Sequence, residues 1–243
     1  MLIVNADDWG RSQAETDAAL ACYARGRITS VTAMVFMEDS ERAAELAKEA
    51  GVDVGLHLNL VQEFNGRKPA AGVLESHDRV CRFLKHGKYA LLLYNPFLRK
   101  QFCSAYLAQA EEFQRLYGRP PSHIDGHQHM HLCANMVLEK IIPGGQKMRR
   151  NFSFCRGEKG FVNRTYRSLV DEWLGRRYRL TDYFFGLAEC LQTKRLKRVS
   201  ELARAANVEL MTHPVNADEY NWLTSDRYYD ALGQVQMGTY SMI

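Results

Sequence analysis

The sequence has few of the features that mark secreted or membrane-spanning proteins. Its six cysteines are scattered and form no Cys-x-x-Cys pair, which favours reduced thiols over a disulfide framework in a chain of this size. No apolar run approaches the ~18 residues of a membrane span, and no basic segment followed by an apolar stretch stands at the start of the sequence. These absences predict a cytoplasmic protein without a membrane partner.

Several familiar active-site motifs are missing as well. The chain has no Gly-x-Gly-x-x-Gly, no phosphate-binding loop, no Gly-x-Ser-x-Gly and no His-Glu-x-x-His. The net charge of +4 is small, and the densest basic run, from Lys194 to Arg204, carries apolar residues at helical spacing. Such a run is typical of the solvated face of an amphipathic helix, so nucleic acid is not an expected partner.

Strand-like and helix-like segments alternate along the chain. Apolar or β-branched runs predict strands at 2–5, 29–35, 52–61, 122–125 and 208–212, with helical segments between them. Repeated strand–helix units are typical of a parallel sheet with helical crossovers. The chain is 46% apolar and has no linker-like tract, so we expect one α/β domain over residues 1–243. A (β/α) barrel-like fold of six or seven strands, incompletely closed, suits it best.

Acidic and histidine residues stand where the predicted strands end. They are Asp7, Asp8, His57, Asp125, His127, His129, His131 and His213. In parallel sheets ligands bind at the carboxyl ends of the strands, so these side chains are expected to meet. One carboxylate and two imidazoles can hold a divalent cation and leave room for water and substrate. A second carboxylate could act as a base toward that water, and the pattern predicts a metal-dependent hydrolase.

The residue types suggest roles and leave alternatives open. Adjacent side chains on a strand point in different directions, so one of Asp7 and Asp8 could bind metal while the other faces water; alone, such a pair is more often a cap or turn. A lone histidine such as His57 is more often a packed core residue than a ligand, but on an apolar strand it needs a polar partner, which a metal would supply. Asn59 is expected on the same face, in contact with substrate or a ligand. His213 suits a general acid, with a capping role as the alternative.

The segment Asp125-Gly-His-Gln-His-Met-His131 is the densest signal in the chain. Three alternating histidines after an aspartate are hard to explain by packing, so at least one is expected to serve a metal or catalysis. We expect Asp125 to orient His127 or His213, and His129 or His131 to hold a carboxylate or a substrate group. The spacing alone does not decide which histidine is the ligand.

Four segments carry a family resemblance: Asn5-Ala-Asp-Asp-Trp-Gly10, Gly55-Leu-His-Leu-Asn-Leu60, His123-Ile-Asp-Gly-His-Gln-His-Met-His131 and Thr212-His-Pro214. In these segments and their order the chain resembles the YdjC-like family of carbohydrate deacetylases, which includes chitooligosaccharide deacetylases. The resemblance implies a barrel-like fold related to polysaccharide deacetylases. It also implies removal of an acetyl group from an N-acetylated sugar, so the expected partner is a small carbohydrate.

Residue roles follow from the resemblance at the matching positions. It implies that Asp8, His57 and His127 bind a divalent metal ion, Mg²⁺ or Zn²⁺. It also implies that Asp7 is the catalytic base and His213 the acid. The stretch 62–118 matches least well and is expected to determine which sugar is accepted.

An arginine pair follows what the pattern suggests is another strand. Arg149 or Arg150 could pair with a catalytic carboxylate or bind a substrate oxygen. The resemblance favours Arg149, but its neighbour leaves the register open.

Two other functions stay open on the sequence. The same scaffold could hydrolyse another amide or a phosphoester, or it could bind a sugar through a metal without turnover. Asp7 and His213 disfavour mere binding, because binding needs neither a base nor an acid. A homodimer is compatible with the composition, but no apolar stripe in the sequence establishes one.

Overall fold

The frame of the protein is a parallel sheet, seen in a computed structural model that describes residues 1–87, 89–154 and 160–243. Its six strands are β1 (Leu2–Trp9), β2 (Ser30–Ala33), β3 (Asp53–Leu58), β4 (Ile124–Gly126), β5 (Tyr183–Gly186) and β6 (Val208–Thr212). Their spatial order is β4-β3-β2-β1-β6-β5, with every neighbouring pair parallel. The sheet curls into an open half-barrel, so the α/β, barrel-like and incompletely closed fold is confirmed with six strands.

Helices form the crossovers between the strands. They are α1 (Gln13–Ala24), α2 (Ser40–Ala50), α3 (Ala71–Lys85), α4 (Arg99–Tyr117), α5 (Ala134–Leu138), α6 (Phe161–Gly175), α7 (Leu187–Thr193), α8 (Leu196–Ala203), α9 (Ala217–Thr224) and α10 (Arg227–Leu232). Short 3-10 turns lie at Ala90–Leu92, Pro96–Leu98, His127–Leu132 and Tyr240–Met242. Helix α2 is capped by the residue after it, Gly51, whose φ of 69° is the left-handed conformation that glycine adopts without strain.

The two faces of the sheet differ in polarity although both are buried. Alternate residues of each strand pack into the apolar core under the helices, among them Leu2, Val4, Ala6, Val31, Ala33, Val54, Leu56, Val208 and Leu210. The intervening positions face the inside of the half-barrel and include Asn5, Asp7, Ser30, Thr32, His57 and Glu209. A buried polar face needs internal partners, and those partners build the site described below.

An extended segment flanks β4 at the open edge of the half-barrel. Ile124 donates its N–H to the Lys147 carbonyl at 2.9 Å and accepts from the Arg149 N–H at 3.1 Å. On the other side of the segment, Met148 donates to the Arg179 carbonyl at 2.9 Å. These backbone hydrogen bonds fix the segment so that the Arg149 side chain lies in the interior of the half-barrel.

The sequence predicted most elements but not all of their limits. The strand at 208–212 has its predicted bounds, whereas the strand predicted at 52–61 is shorter and ends at Leu58. Cys22, Cys81 and Cys133 are buried thiols, and Cys155 lies outside the described residues. Among the helices that the structure describes, none has both the length and the apolar character needed to span a membrane.

Candidate metal and catalytic site

A β-bulge at the end of β1 brings two neighbouring carboxylates to one place. The pairing of β1 with β2 shifts between Ala6 and Trp9, and Asp8 there adopts a left-handed backbone with φ of 65°. In a regular strand Asp7 and Asp8 would point to opposite faces, but a bulge re-aims a side chain. Both carboxylates therefore lie within reach of His57.

Asp8, His57 and His127 come together as a candidate metal site. Their donor atoms lie within 4.8 Å of one another, and all three residues are buried. Asp8 Oδ1 lies 3.3 Å from His57 Nε2 and 2.9 Å from His127 Nδ1. The three residues come from β1, β3 and the turn after β4, so strand ends that are far apart in sequence converge on one point.

Asp125 fixes the orientation of His57. The Nδ1 atom of His57 lies 2.8 Å from Asp125 Oδ1, and with a proton on Nδ1 the Nε2 atom is free to face Asp8. This carboxylate–histidine arrangement is the usual support of a metal-binding imidazole. The expectation that Asp125 orients His127 or His213 was wrong, because the register of β3 with β4 places Asp125 beside His57.

The structure resolves which arginine faces the site. Arg149 is fully buried and donates two parallel hydrogen bonds to Asp7, from Nη1 to Oδ2 and from Nη2 to Oδ1, both 2.7 Å long. Its Nη1 also lies 2.8 Å from Asp125 Oδ2. Arg150 turns away and pairs with Asp171 at 2.8 Å. Burial alone would raise the pKa of Asp7, but the Arg149 guanidinium and nearby histidines hold that pKa well below its usual range.

A second group of donors is less suited to a cation. It combines His57 with Asp7 and Asp125, but both of these carboxylates already contact Arg149. Asp8 instead meets two imidazoles and, at Oδ2, the half-exposed Arg11 at 3.1 Å. Asp7 and Asp125 are thus paired with a guanidinium that cannot lose its charge, whereas the imidazoles beside Asp8 can lose theirs, which favours the Asp8 group as the one that holds a metal ion.

Metal binding at this site is expected to strengthen as pH rises. Burial alone lowers the pKa of His57, but Asp125 and Asp7 raise it to about 10 in the metal-free protein. Near neutral pH the Nε2 atom therefore carries a proton that must leave before a cation can bind. Metal affinity should rise by about tenfold per pH unit below that pKa, with about one proton released per ion. Titration calorimetry in buffers of different ionisation enthalpy measures this release, and an affinity that stays constant between about pH 6 and 9 would contradict it.

His213 lies directly after β6, at the carboxyl end of the sheet where the carboxylates meet. An electrostatic interaction with His213 is the weakest of the contributions that lower the pKa of Asp7. The backbone N–H of His213 donates to Glu219 Oε2 at 3.0 Å, and the Thr212 hydroxyl donates to the same oxygen at 2.9 Å. Glu219 thus fixes the backbone of the turn and leaves the imidazole half-buried at the edge of the site.

His129 lies beside the metal group and not within it. Gln128 and His129 both have left-handed backbones, with φ of 52° and 59°, a strain typical of functional turns. The His129 ring packs edge-on against Phe152 at a centroid distance of 4.7 Å. Burial first, and the charge of Arg149 second, lower the pKa of His129 to about 3. The imidazole is therefore neutral over the working pH range and can donate or accept one hydrogen bond.

Asn59 requires a correction. Its side-chain oxygen accepts the N–H groups of Val61 and Gln62, and its Nδ2 donates to the Gln62 carbonyl at 2.8 Å. The residue is fully buried, so its amide closes a turn and does not face a substrate. The period of two no longer applies here because β3 ends at Leu58.

Three polar residues of the site were missed from the sequence. Asn5 donates to Asp7 Oδ1 at 3.0 Å, and the Thr32 hydroxyl donates to the same oxygen at 3.3 Å. Glu209 contacts Arg149 from β6. Each is a polar side chain at an alternate position of an apolar strand, and that interruption is the signal that could have identified them.

A cavity of about 370 Å³ opens beside His129. Its walls include Phe152, Asn151 and Tyr166, the last of which is 50% exposed. The cavity thus offers aromatic faces together with amide and hydroxyl groups.

Comparisons with known proteins give consistent results. The family model described as YdjC-like protein matches residues 1–234. A chitooligosaccharide deacetylase of Serratia marcescens is 32% identical over 226 residues, which cover 90% of this chain and 83% of that protein. A carbohydrate deacetylase of Mus musculus is 29% identical over 242 residues, covering 88% and 77%.

A solved structure supports the fold. The crystal structure of a proposed cellobiose-phosphate cleavage protein from Enterococcus faecalis V583 superposes with a TM-score of 0.70 over 99% of this chain and 97% of that one. Its sequence identity is 17%, so the likeness concerns the fold alone.

Proposed function

This chain belongs to the YdjC-like family, and from that premise we propose that it is a metal-dependent deacetylase that removes the acetyl group from an N-acetylated sugar. Relatives at about 30% identity are carbohydrate and chitooligosaccharide deacetylases, which implies a hydrolase. One observation carries the proposal: the Asp7 carboxylate is held by two hydrogen bonds from the buried Arg149, and it lies next to the donor group that contains Asp8. A base held beside a cation site is what hydrolysis of an amide requires.

Asp8, His57 and His127 would hold the divalent cation. Two imidazoles suit Zn²⁺, while a carboxylate with open positions for water also accepts Mg²⁺. When bound, such an ion supplies a Lewis acid that polarises the acetyl carbonyl and makes nearby water more acidic. Asp125, 2.8 Å from His57 Nδ1, would hold the ring and leave Nε2 as the donor atom.

Asp7 would accept the proton of the attacking water. Its low pKa keeps the carboxyl group ionised at neutral pH. Both of its oxygens are bonded to Arg149, and Oδ1 also accepts from Asn5, so the carboxylate cannot rotate. A fixed base meets the geometric condition for general base catalysis.

His213 would protonate the departing amine. It lies directly after β6, at the carboxyl end of the sheet, and imidazole is the side chain best suited to general acid catalysis. Asp7 would take a proton from the water, and His213 would give one to the nitrogen as the C–N bond breaks. The sugar itself would occupy the cavity beside His129, where the Tyr166 and Phe152 rings can pack on the C–H face of a pyranose.

The products of the reaction test the substrate class. We expect the purified protein to release acetate from a short N-acetylated chitooligosaccharide and to release no phosphate from a phosphoester analogue. Phosphate release without acetate would replace the proposal with phosphoester hydrolysis on the same scaffold. Tight sugar binding with neither product would indicate a metal-dependent sugar-binding protein.

A further inference from the structure

Glu209 is a buried carboxyl group that the proposed reaction does not use. It lies on β6 opposite Ile3 of β1, faces the inside of the half-barrel and is 0% exposed. Neither candidate donor group includes it. A carboxyl group in such a place needs strong partners, because burial without them is costly.

Its first partner is Arg149. Glu209 Oε1 accepts from Arg149 Nε at 2.8 Å and lies 2.7 Å from Nη2. Asp7 occupies the other edge of the same guanidinium, formed by Nη1 and Nη2. The ring of Phe184 lies against the plane, with its centroid 4.9 Å from the central carbon. A planar guanidinium that is hydrogen-bonded on two edges and covered on one face is held in a single orientation.

Its second partner is the buried Tyr240. The Tyr240 hydroxyl donates to Glu209 Oε2. The tyrosine ring stacks on His123 at 3.7 Å with an interplanar angle of 8°, and its carbonyl accepts from Lys147 Nζ at 2.6 Å. Glu209 is thus itself held in place, and a continuous series of bonds runs from Tyr240 through Glu209 and Arg149 to Asp7.

A competing contact shows why Arg149 needs this support. Its Nη1 lies 2.7 Å from Asp7 Oδ2 and 2.8 Å from Asp125 Oδ2, so two carboxylates attract the same nitrogen. Without an acceptor at Nε, the guanidinium could turn toward Asp125 and give up the parallel pair with Asp7. The bond at Nε opposes that rotation.

We propose that Glu209 is a positioning residue that fixes the Arg149 guanidinium in the orientation that holds Asp7. This inference rests on the proposed function, in which Asp7 is the base. The role requires a hydrogen-bond acceptor and not a negative charge. Burial, opposed by Arg149 and Tyr240, raises the pKa of Glu209 to about 7, and both protonation states present an oxygen to Nε.

Three variants separate positioning from simple support of the fold. Glu209→Leu keeps the volume but removes the acceptor, and we expect kcat to fall about 100-fold with KM within about threefold. Glu209→Gln keeps the acceptor and should retain kcat within about fivefold. Ile3→Val, at the same level on the neighbouring strand, is the control and should leave kcat unchanged. Equal losses in the Leu and Gln variants, or an unchanged kcat in Glu209→Leu, would overturn the proposal.

A second measurement keeps the test independent of turnover. In a crystal structure of Glu209→Leu we expect the guanidinium of Arg149 to leave Asp7, whereas an intact parallel pair would refute the inference. Should that variant fail to fold, Tyr240→Phe removes only the hydroxyl that holds Glu209 and should lower kcat by about fivefold. An unchanged kcat there would also count against the proposal. Absence of acetate release by the wild type would remove the deacetylase function, and the position of Arg149 would then decide this inference alone.

Discussion

Replacing Asp7 with asparagine is expected to lower kcat by about 100- to 10,000-fold while the metal ion stays bound. The amide has nearly the shape of the carboxylate but cannot accept the proton of water. Arg149 keeps its contacts with Asp125 and Glu209, so the interior of the half-barrel should stay folded. Acetate release gives the rate, and elemental analysis of the purified variant gives the metal content.

A matched control uses an acid of the surface. Asp17 on α1 is half exposed and pairs with Arg42 at 2.8 Å. Asp17→Asn makes the same chemical change far from the strand ends and should retain the wild-type kcat. If Asp7→Asn turned over at a rate close to that of this control, the carboxylate would not be the base.

Replacing Asp8 with asparagine is expected to lower both metal binding and turnover. The neutral amide leaves two imidazoles and no charged ligand, so metal affinity should fall by at least about 100-fold, and turnover should fall with it. Direct titration of the metal-free protein with Zn²⁺ or Mg²⁺ measures the affinity. High metal concentration should restore part of the activity, which it cannot do for Asp7→Asn.

The two neighbouring aspartates thus serve as controls for each other. Asp7→Asn should keep the metal and lose the reaction, and Asp8→Asn should lose both. A fully loaded Asp8→Asn protein would show that another residue holds the ion, and Asp125 and Asp7 of the second donor group would be the next candidates.

The sequence was sufficient to predict which strand ends meet. Asp8, His57 and His127 follow or end separate strands, and the carboxyl ends of parallel strands share one edge of the sheet. The choice of His127 among the three histidines came from the family resemblance, but the meeting of the strand ends follows from the strand pattern. The register between β3 and β4 does not, and for that reason Asp125 was assigned the wrong histidine.

Local geometry limited the remaining predictions. The bulge at Asp8 depends on a pairing shift between two strands that are distant in sequence, so a single-strand pattern could not reveal that both carboxylates face inward. Asn59 was placed on the inner face because β3 was expected to run to residue 61, but the strand ends at Leu58. Glu209 stood in a correctly predicted strand, yet its partner Arg149 comes from an irregular segment that carries no periodic signal.

Acetate release from N,N′-diacetylchitobiose, measured before and after chelation and again with Mg²⁺ or Zn²⁺ restored, tests the central claim most directly. We expect release by the purified protein, its loss on chelation and its recovery with at least one of the two ions. Release that persists after the metal has been removed, or a protein that binds no metal and releases no acetate, would contradict a metal-dependent deacetylase built on Asp8, His57 and His127.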